Sequence, residues 1–481
     1  MFKKIMTCLF ISFVIIFTSC AAYPDKGVDY YKPYQGESYL ELQESSFINT
    51  NENNKVNISM DSSNAGYSNI RRIIKQGANI YKDAVNIEQM LNYFNYSYVN
   101  ETNDQLTSFL EMANCPWNDQ NKLLSVAIKA KDYQIDNDTA NNFVFLLDVS
   151  GSMNSADKLP LMIEAFKILI DNLNDNDRVS IVTYAGGDKV LLEGAYGFEK
   201  PKISAIISDL SAGGSTAGSA GIKTAYEIAS KYFIEGGNNR VFLATDGDFN
   251  VGISSTKGLE NFISQKRETG VYLSLFGFGS GNLHSSTMDT LAGAGNGNYY
   301  YIDSILEAQK VFISELGGTL LTVAKDVKAQ VEFNPEVVKS YRLIGYENKI
   351  LTNEEFENDE TDAGEIGAGH TVICMIEVVL QENINLENID YITKCTLKYK
   401  DVRDNELNKE IIKQLNNITN NPTNDFIFAS SVVEFGLLLR DSAYKANASY
   451  DAILSRVNND NFTNDSYKKE FCELVNMMND R

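Results

Sequence analysis

Basic residues are scarce in this sequence. Its 481 residues include 42 lysines and arginines against 64 aspartates and glutamates, and the formal net charge is −22 at pH 7. A protein that binds DNA or RNA normally presents a basic face to the phosphates, so this balance argues against a nucleic-acid partner. We attribute the acidity to a solvated, self-repelling surface rather than to an acidic active site.

Histidine is scarcer still, since the chain has only His284 and His370. Neither lies in a recognisable catalytic motif, and no serine lies in the Gly-x-Ser-x-Gly turn of α/β hydrolases. We expect His284 to be a surface or helix-start residue and His370 to be a turn residue. The sequence therefore argues against a serine hydrolase.

The six cysteines show no metal-binding spacing. Cys8 lies in the apolar leader described next and Cys20 ends it, so the body of the chain keeps Cys115, Cys374, Cys395 and Cys472. The wide separation of these four matches no zinc-site pattern. Cys374 and Cys395 lie in adjacent strand-like runs, where either a disulfide or two buried free thiols would fit.

The first twenty residues differ from the rest of the chain. Lys3 and Lys4 precede the apolar run "IMTCLFISFVIIF", and "TSC" closes the segment at Cys20. The run is short for a membrane span, and a small-residue site that ends in cysteine resembles a bacterial lipobox. We predict a lipoprotein signal peptide over residues 1–19 and a diacylated Cys20; a non-cleaved N-terminal anchor is the alternative. Either one places the body outside the cytoplasm, in the cell envelope or at the cell surface.

Residues 20–57 are rich in tyrosine, asparagine, glutamate and serine and have little apolar periodicity. We expect them to form a flexible tether that lets the body stand away from the membrane. In residues 58–135, which follow, apolar side chains recur at helical spacing. That spacing predicts two short helices in a small N-terminal helical module.

Between residues 140 and 320, strand-like and helix-like segments alternate. The predicted strands are "FVFLLD", "RVSIVTYA", "RVFLATD" and "VYLSLFGFG", and five predicted helices lie between and after them. Continuous apolar runs imply strands that are buried on both faces. The alternation predicts a Rossmann-like, doubly wound and mostly parallel sheet with helices on both faces. The tyrosines Tyr299–Tyr301 are expected to pack at a strand edge.

Residues 321–481 change pattern again. The stretches "VKAQVEF", "SYRLIGYE", "HTVICMIEVVL" and "YITKCTLKYK" predict a small sheet, and "DFIFASSVVEFGLLLRD" predicts an amphipathic helix before a polar end. The predicted fold class is therefore α/β. A central doubly wound domain is flanked by the N-terminal helical module and by a C-terminal region that is β-rich and partly helical.

Acids and hydroxyls follow the apolar strands of the central domain. They are Asp148, Ser150 and Ser152 in "DVSGSM", Ser215 and Thr216 in "SAGGSTAGSAG", and Asp246 in "FLATDGDFN". Ligands of an open parallel sheet bind beyond the carboxyl ends of its strands, so we expect these groups to converge there. The two acids and the hydroxyls of Ser150, Ser152 and Thr216 suit a hard divalent cation that takes oxygen ligands. Mg²⁺ is the first choice, with Mn²⁺ or Ca²⁺ as the other candidates.

These residues resemble the metal-ion-dependent adhesion site of von Willebrand factor type A domains. The Asp-x-Ser-x-Ser element of that family is matched at Asp148, Ser150 and Ser152, its threonine at Thr216 and its second aspartate at Asp246. The resemblance implies that the serines and the threonine contact the metal directly or nearly so, whereas the aspartates often act through water.

The resemblance extends beyond the site. The segments "YSNIRRIIKQG", "YRLIGYENK" and "FASSVVEFGLLLRDS" are similar to bacterial YfbK-like lipoproteins that carry this domain, and the similarity covers residues 55–457.

Two other interpretations of the acids fail at particular positions. A haloacid-dehalogenase-like phosphatase needs a second acid two residues after the first, where this chain has Ser150. A calcium-binding EF-hand loop that starts at Asp246 fails at Val251 and at Lys257, where glycine and glutamate are required. Asp248, like Ser215, is a candidate to support the metal ligands; stabilising the turn alone is the alternative role.

The sequence thus predicts an envelope lipoprotein that binds a protein partner through the cation. With only two carboxylates, the ion keeps excess positive charge and attracts an Asp or Glu carboxylate from that partner. A metal-dependent hydrolase or phosphatase and a purely structural envelope protein are the alternatives. We expect no histidine, cysteine or paired lysine near the site to act as a general base, so binding is favoured over catalysis and the chain is predicted not to be an enzyme.

Overall fold

A computed structural model describes residues 37, 39, 41–60, 63–133, 140–214, 219–247, 256–281, 284–315, 322–384, 386, 389–404 and 407–481. The predicted signal peptide and Cys20 lie outside these residues. In the described part, no helix is long and apolar enough to cross a membrane.

The strands in chain order are β1 (Ile48–Asn49), β2 (Lys55–Ser59), β3 (Leu106–Cys115), β4 (Asn118–Ala130), β5 (Asn141–Asp148), β6 (Arg178–Tyr184), β7 (Asp188–Tyr196), β8 (Asn238–Thr245), β9 (Val271–Phe278), β10 (Tyr299–Ile302), β11 (Thr322–Phe333), β12 (Val338–Ile344), β13 (Ile350–Leu351), β14 (Gly364–Gly367), β15 (Thr371–Leu380), β16 (Thr393–Asp401) and β17 (Leu407–Leu415).

The α-helices are α1 (Ala65–Lys75), α2 (Ile87–Asn92), α3 (Leu159–Asp171), α4 (Lys200–Ser208), α5 (Ser219–Lys231), α6 (Thr256–Arg267), α7 (Ser285–Ala294), α8 (Ile305–Gln309), α9 (Asn353–Glu357), α10 (Asn424–Leu439), α11 (Tyr450–Val457), α12 (Asp460–Thr463) and α13 (Ser466–Asn479). A π-helical turn, Lys310–Glu315, continues α8.

The central sheet has the strand order β10-β9-β8-β5-β6-β7. Its neighbouring strands are parallel except for β7, which pairs antiparallel with β6 at one edge. From β5 the chain first continues on one side to β6 and later returns on the other side to β8. The carboxyl ends of β5 and β8 therefore flank the switch point at which ligands of such sheets bind.

Alternation along β5 explains how this sheet is covered on both faces. Phe143, Phe145 and Leu147 pack with α3, α4 and the α8 segment on one face, whereas Val144 and Leu146 pack with α5, α6 and α7 on the other. Adjacent side chains of a strand point to opposite faces, so an unbroken apolar run buries both. The predicted doubly wound α/β architecture is confirmed, and Tyr299–Tyr301 form β10 at the other edge of the sheet, buried.

The flanking regions form a β-sandwich. One sheet has the order β1-β12-β15-β4-β3 and the other β13-β2-β11-β16-β17, with β14 paired to β11. All these pairs are antiparallel. A shared apolar core that includes Val126, Ile128, Val331 and Cys374 lies between the two sheets.

A layer of helices covers the outer face of the sheet that contains β4 and β15. Residues of α1, α2, α10, α11 and α13 form one apolar core with Leu123, Ala127, Ile373 and Met375 of that sheet. The helix α10 is buried on nearly all sides, which differs from the predicted amphipathic helix. The predicted polar end also contains buried residues, among them Val457 and Phe471.

The N-terminal region differs from its prediction in two ways. Within residues 20–57, the described part contains β1 and the first residues of β2, which pair with β12 and β11 and are not a free tether. The predicted helices α1 and α2 are present, but residues 106–130 form the long strands β3 and β4. Both flanks contribute strands to the same two sheets, so the α/β domain is inserted within the sandwich.

The described cysteines, Cys115, Cys374, Cys395 and Cys472, are free and buried. Of the two possibilities for Cys374 and Cys395, the structure shows the free thiols, both in the core of the sandwich.

Candidate metal centre

Asp148 ends β5 at the switch point of the central sheet, and its side chain is fully buried. Its Oδ1 accepts a hydrogen bond from the backbone N–H of Ser150 (2.9 Å), and its Oδ2 accepts one from the hydroxyl of Thr245 (3.1 Å). Burial raises the pKa of Asp148, and the nearby charge of Asp246 raises it further, whereas the hydrogen bonds lower it. The acid at the end of the apolar strand is thus held in a fixed orientation by the loop it begins and by the end of β8.

Ser150 and Ser152 follow on that loop, where residues Gly151–Asn154 form a 3₁₀ turn. Their hydroxyl oxygens lie 3.0 Å apart, so the two side chains face a common point. Ser150 is buried and Ser152 is exposed, which leaves this pair open to solvent on one side. The structure therefore brings Asp148, Ser150 and Ser152 together as predicted.

The second loop of the predicted site is bound to the first through its backbone. Gly213 donates to the carbonyl of Val149 (2.8 Å), and Gly151 donates to the carbonyl of Gly214 (3.1 Å). Gly214 has φ +83°, and a Cβ there would lie 3.1 Å from the carbonyl oxygen of Ala185, so glycine is required. The adjoining Ser215 and Thr216 lie outside the described residues, as does Asp248.

Asp246 directly follows β8 and is buried beside Asp148. Its Oδ2 lies 2.8 Å from the ammonium of Lys158, the residue before α3. The prediction that no paired lysine lies near the site is therefore wrong. In the sequence, Lys158 only opens the predicted helix "KLPLMIEAFKILIDNL", and its contact with Asp246 joins residues 88 positions apart, which the sequence does not reveal.

Two further residues of the site were not predicted from the sequence. Thr245, the last residue of β8, donates to Asp148 and accepts from the backbone N–H of Gly247 (3.3 Å). Tyr184 ends β6 and lies buried close to the same acids; burial raises its pKa well above the ordinary value, and the charge of Asp148 adds to this. Each of the two residues ends a strand, Thr245 in "LAT" and Tyr184 in "VTY". That position is the sequence feature by which they could have been predicted.

The described donors fit a hard divalent cation. Carboxylate and hydroxyl oxygens at one point are ligands that such ions prefer, and the backbone contacts hold these oxygens in place without the metal. The described residues contain no group of three or more His, Cys, Asp or Glu side chains that could hold a metal, so hydroxyl oxygens must supply part of the ligand set at this site.

The doubly wound sheet, with its Asp-x-Ser-x-Ser loop at the switch point, defines a von Willebrand factor type A domain. The family model of that name, "von Willebrand factor type A domain", matches residues 142–313. Domains of this class often carry a metal-ion-dependent adhesion site. Two more models match the flanks, "von Willebrand factor" over residues 33–125 and "Uncharacterized protein YfbK, C-terminal" over residues 318–480.

The chain belongs to the YfbK family of von Willebrand factor type A domain proteins. It is 40% identical over 427 residues to the uncharacterized protein YfbK of Escherichia coli (strain K12), an alignment that covers 84% of this chain and 74% of that protein. It is 24% identical over 306 residues to the uncharacterized protein sll0103 of Synechocystis sp., covering 62% of this chain and 70% of the relative.

Among solved structures, the chain is similar to a von Willebrand factor type A protein from Catenulispora acidiphila. The two are 16% identical with a TM-score of 0.40, over 70% of this chain and 80% of that one.

Proposed function

We propose that this chain is a cell-envelope lipoprotein whose von Willebrand factor type A domain binds a protein partner through a divalent cation, with Mg²⁺ as the physiological ion. Asp148, Ser150, Ser152 and Asp246 hold the ion together with Thr216, and Ser215 and Asp248 support them. The partner supplies an Asp or Glu carboxylate as a further ligand.

The observation that carries this proposal is the arrangement of Asp148, Ser150 and Ser152. The two hydroxyl oxygens lie 3.0 Å apart, Ser152 is an exposed residue, and the buried acid directly before them accepts a hydrogen bond from the same loop. Such a cluster offers oxygen ligands on the protein side and solvent on the other. A bound cation with few carboxylates around it keeps positive charge on the solvent side, where an acidic partner can reach it.

The proposal predicts that partner capture depends on Asp148 and on the metal. Asp148→Asn keeps the size of the side chain but removes its charge, so we expect Mg²⁺ binding measured by titration calorimetry to weaken by at least about 100-fold. Capture of native envelope proteins, measured with and without EDTA, is expected to be lost in both the variant and the chelated wild type.

Asp209→Asn is the matched control, since it removes one exposed carboxylate of the same domain, next to the end of α4. It should leave both measurements unchanged, and circular dichroism should show the same fold in all three proteins. Capture that survives both EDTA and Asp148→Asn contradicts the proposal.

The lipid anchor is a separate part of the proposal, supported by the lipobox-like "FTSC". We expect labelled palmitate to be incorporated into the wild-type chain in the native organism and not into Cys20→Ser, and the variant to leave the membrane fraction. Cys115→Ser, at a buried position in the body, is the control for loss of a thiol. Equal labelling of wild type and Cys20→Ser would contradict the anchor.

We also propose that the chain binds rather than catalyses. The hydrogen bonds to Asp148 come from Ser150 and Thr245 and not from a histidine; His284 is the residue before α7, and His370 is the residue before β15. Lys158, the basic group beside the site, is engaged by Asp246.

A further inference from the structure

Lys158 places a positive charge inside the candidate metal centre. Its ammonium donates to Asp246 Oδ2 at 2.8 Å; the Lys158 side chain is 9% exposed and that of Asp246 is 0% exposed. An exposed ion pair of this kind contributes little, but a buried pair with a good hydrogen bond is a strong, oriented contact. The lysine therefore holds one of the two acids on which the cation depends.

The structure has a slot shaped for this lysine. Gly279, just after β9, has φ +73°, and a Cβ at that position would lie 2.2 Å from Cγ of Lys158. The carbonyl of Gly279 accepts a hydrogen bond from the hydroxyl of Tyr301 (2.7 Å), which fixes the loop. Only glycine allows the apolar stem of Lys158 to cross this point. The ammonium group is therefore positioned by three strands of the sheet: Asp246 follows β8, Gly279 follows β9, and Tyr301 lies on β10.

The charge of Lys158 compensates the negative charges of the two buried acids. Asp148 and Asp246 are buried side by side, close enough for their charges to repel. Two buried carboxylates require compensating positive charge, which either a divalent cation or a lysine can supply. Lys158 supplies it from within the chain, at the same carboxylate that the metal needs.

We propose that Lys158 is a built-in cation that competes with the divalent metal for Asp246 and thereby sets the metal affinity of the site. This inference rests on the metal site proposed above. The ion binds only as Lys158 gives up Asp246, so the domain keeps its fold without metal and takes up the ion weakly and reversibly.

The competition is tested by measuring Mg²⁺ and Mn²⁺ binding to the purified full-length chain by titration calorimetry. Lys158→Met keeps the apolar stem across Gly279 and removes the charge, so we expect Mg²⁺ to bind about tenfold more tightly or better. Lys158→Gln removes the same charge with a polar end group and is expected to shift affinity in the same direction. Lys167→Met, on α3 but away from the site, is the matched control and should change affinity less than about twofold.

Thermal unfolding gives a second measure. Saturating Mg²⁺ replaces an existing ion pair in the wild type but fills an uncompensated site in Lys158→Met. The rise in Tm on adding Mg²⁺ should therefore be larger in the variant than in the wild type or in Lys167→Met.

Unchanged or weaker Mg²⁺ binding in both Lys158 variants overturns the inference, because the lysine then supports the metal or has no effect on it. Asp148→Asn separates this failure from failure of the metal site itself. If wild type binds Mg²⁺, Asp148→Asn does not, and the Lys158 variants bind no more tightly, only the inference fails; if wild type and Asp148→Asn bind alike, the proposed metal site fails as well.

Discussion

At the scale of single residues, the structure keeps acids in buried positions by giving each of them defined partners. Asp148 is fully buried, yet both of its oxygens accept hydrogen bonds, from the N–H of Ser150 and the hydroxyl of Thr245. A buried carboxylate without partners would take up a proton, since desolvation disfavours its charge. Thr245 is not one of the predicted metal ligands, but its hydrogen bond holds Asp148, so it is also part of the site.

Lys310 is the opposite case, a buried base whose surroundings disfavour its charge. Burial lowers its pKa to about 8, and Arg71 lowers it further, whereas Glu307 and Asp465 oppose the shift. Its ammonium lies 4.1 Å from the centre of the Tyr93 ring and 5.7 Å from that of Tyr467. Burial lowers the pKa of His370, and the charge of Lys310 lowers it further. The folded chain therefore bears the cost of a desolvated charge below pH 8.

We expect Lys310→Met to stabilise the chain at neutral pH. Below pH 8 both the folded and the unfolded wild type bind the proton. Between pH 8 and the ordinary value of 10.5 the unfolded state binds more protons, so wild-type stability rises with pH. The variant lacks this dependence and should exceed the wild type at pH 7 by roughly 1–3 kcal/mol, a difference that shrinks towards pH 10.5.

Urea unfolding at several pH values measures this difference. Lys469→Met, an exposed residue of α13, removes the same charge at the surface and should show no such trend. If Lys310→Met is less stable than the wild type at pH 7, the buried ammonium contributes more through Tyr93 and Glu307 than its desolvation costs.

At the scale of elements, apolar runs that bury both faces were predictable, as was the regularly alternating strand β16, whereas the irregular edge strand β3 was not. In β15 the residues Ile373 and Met375 face the helical layer while Val372 and Cys374 face the sandwich core, so its unbroken apolar run "VICMI" is a clear strand signal. In β3, "LTSFLEMANC", polar and apolar side chains mix because the strand lies at the sheet edge. Without its neighbour β4, nothing in that sequence distinguishes it from a short helix or a loop.

In the candidate site, too, some residues could be predicted from the sequence and one could not. Asp148, Ser150, Ser152 and Asp246 follow apolar strands, and the carboxyl ends of parallel strands meet at one sheet edge, so their convergence could be predicted from spacing alone. Lys158 could not, because its contact with Asp246 needs the space left by Gly279, about 120 residues further along the chain. Contacts that depend on two distant loops appear only once the sheet is assembled.

At the scale of the whole molecule, Arg71 links the three parts of the chain. Its guanidinium, on α1, contacts Asp303 after β10, Glu307 of α8 (2.7 Å) and Glu470 of α13 (2.9 Å). It also donates to the hydroxyl of Tyr93 (2.9 Å). The group is almost wholly buried, so one cation balances acids from the inserted domain and from the C-terminal helices.

We expect Arg71→Met to destabilise the chain by about 3–5 kcal/mol, because it leaves Asp303, Glu307 and Glu470 buried without the cation they share. Lys75→Met is the matched control: Lys75 lies on the same helix and pairs with the same Glu470 at 2.5 Å, but it is 49% exposed. Its loss should cost less than about 1 kcal/mol. Free energies of unfolding from urea titrations of the three proteins measure both effects. Equal stabilities for the two variants would mean that apolar packing alone joins the inserted domain to its flanks.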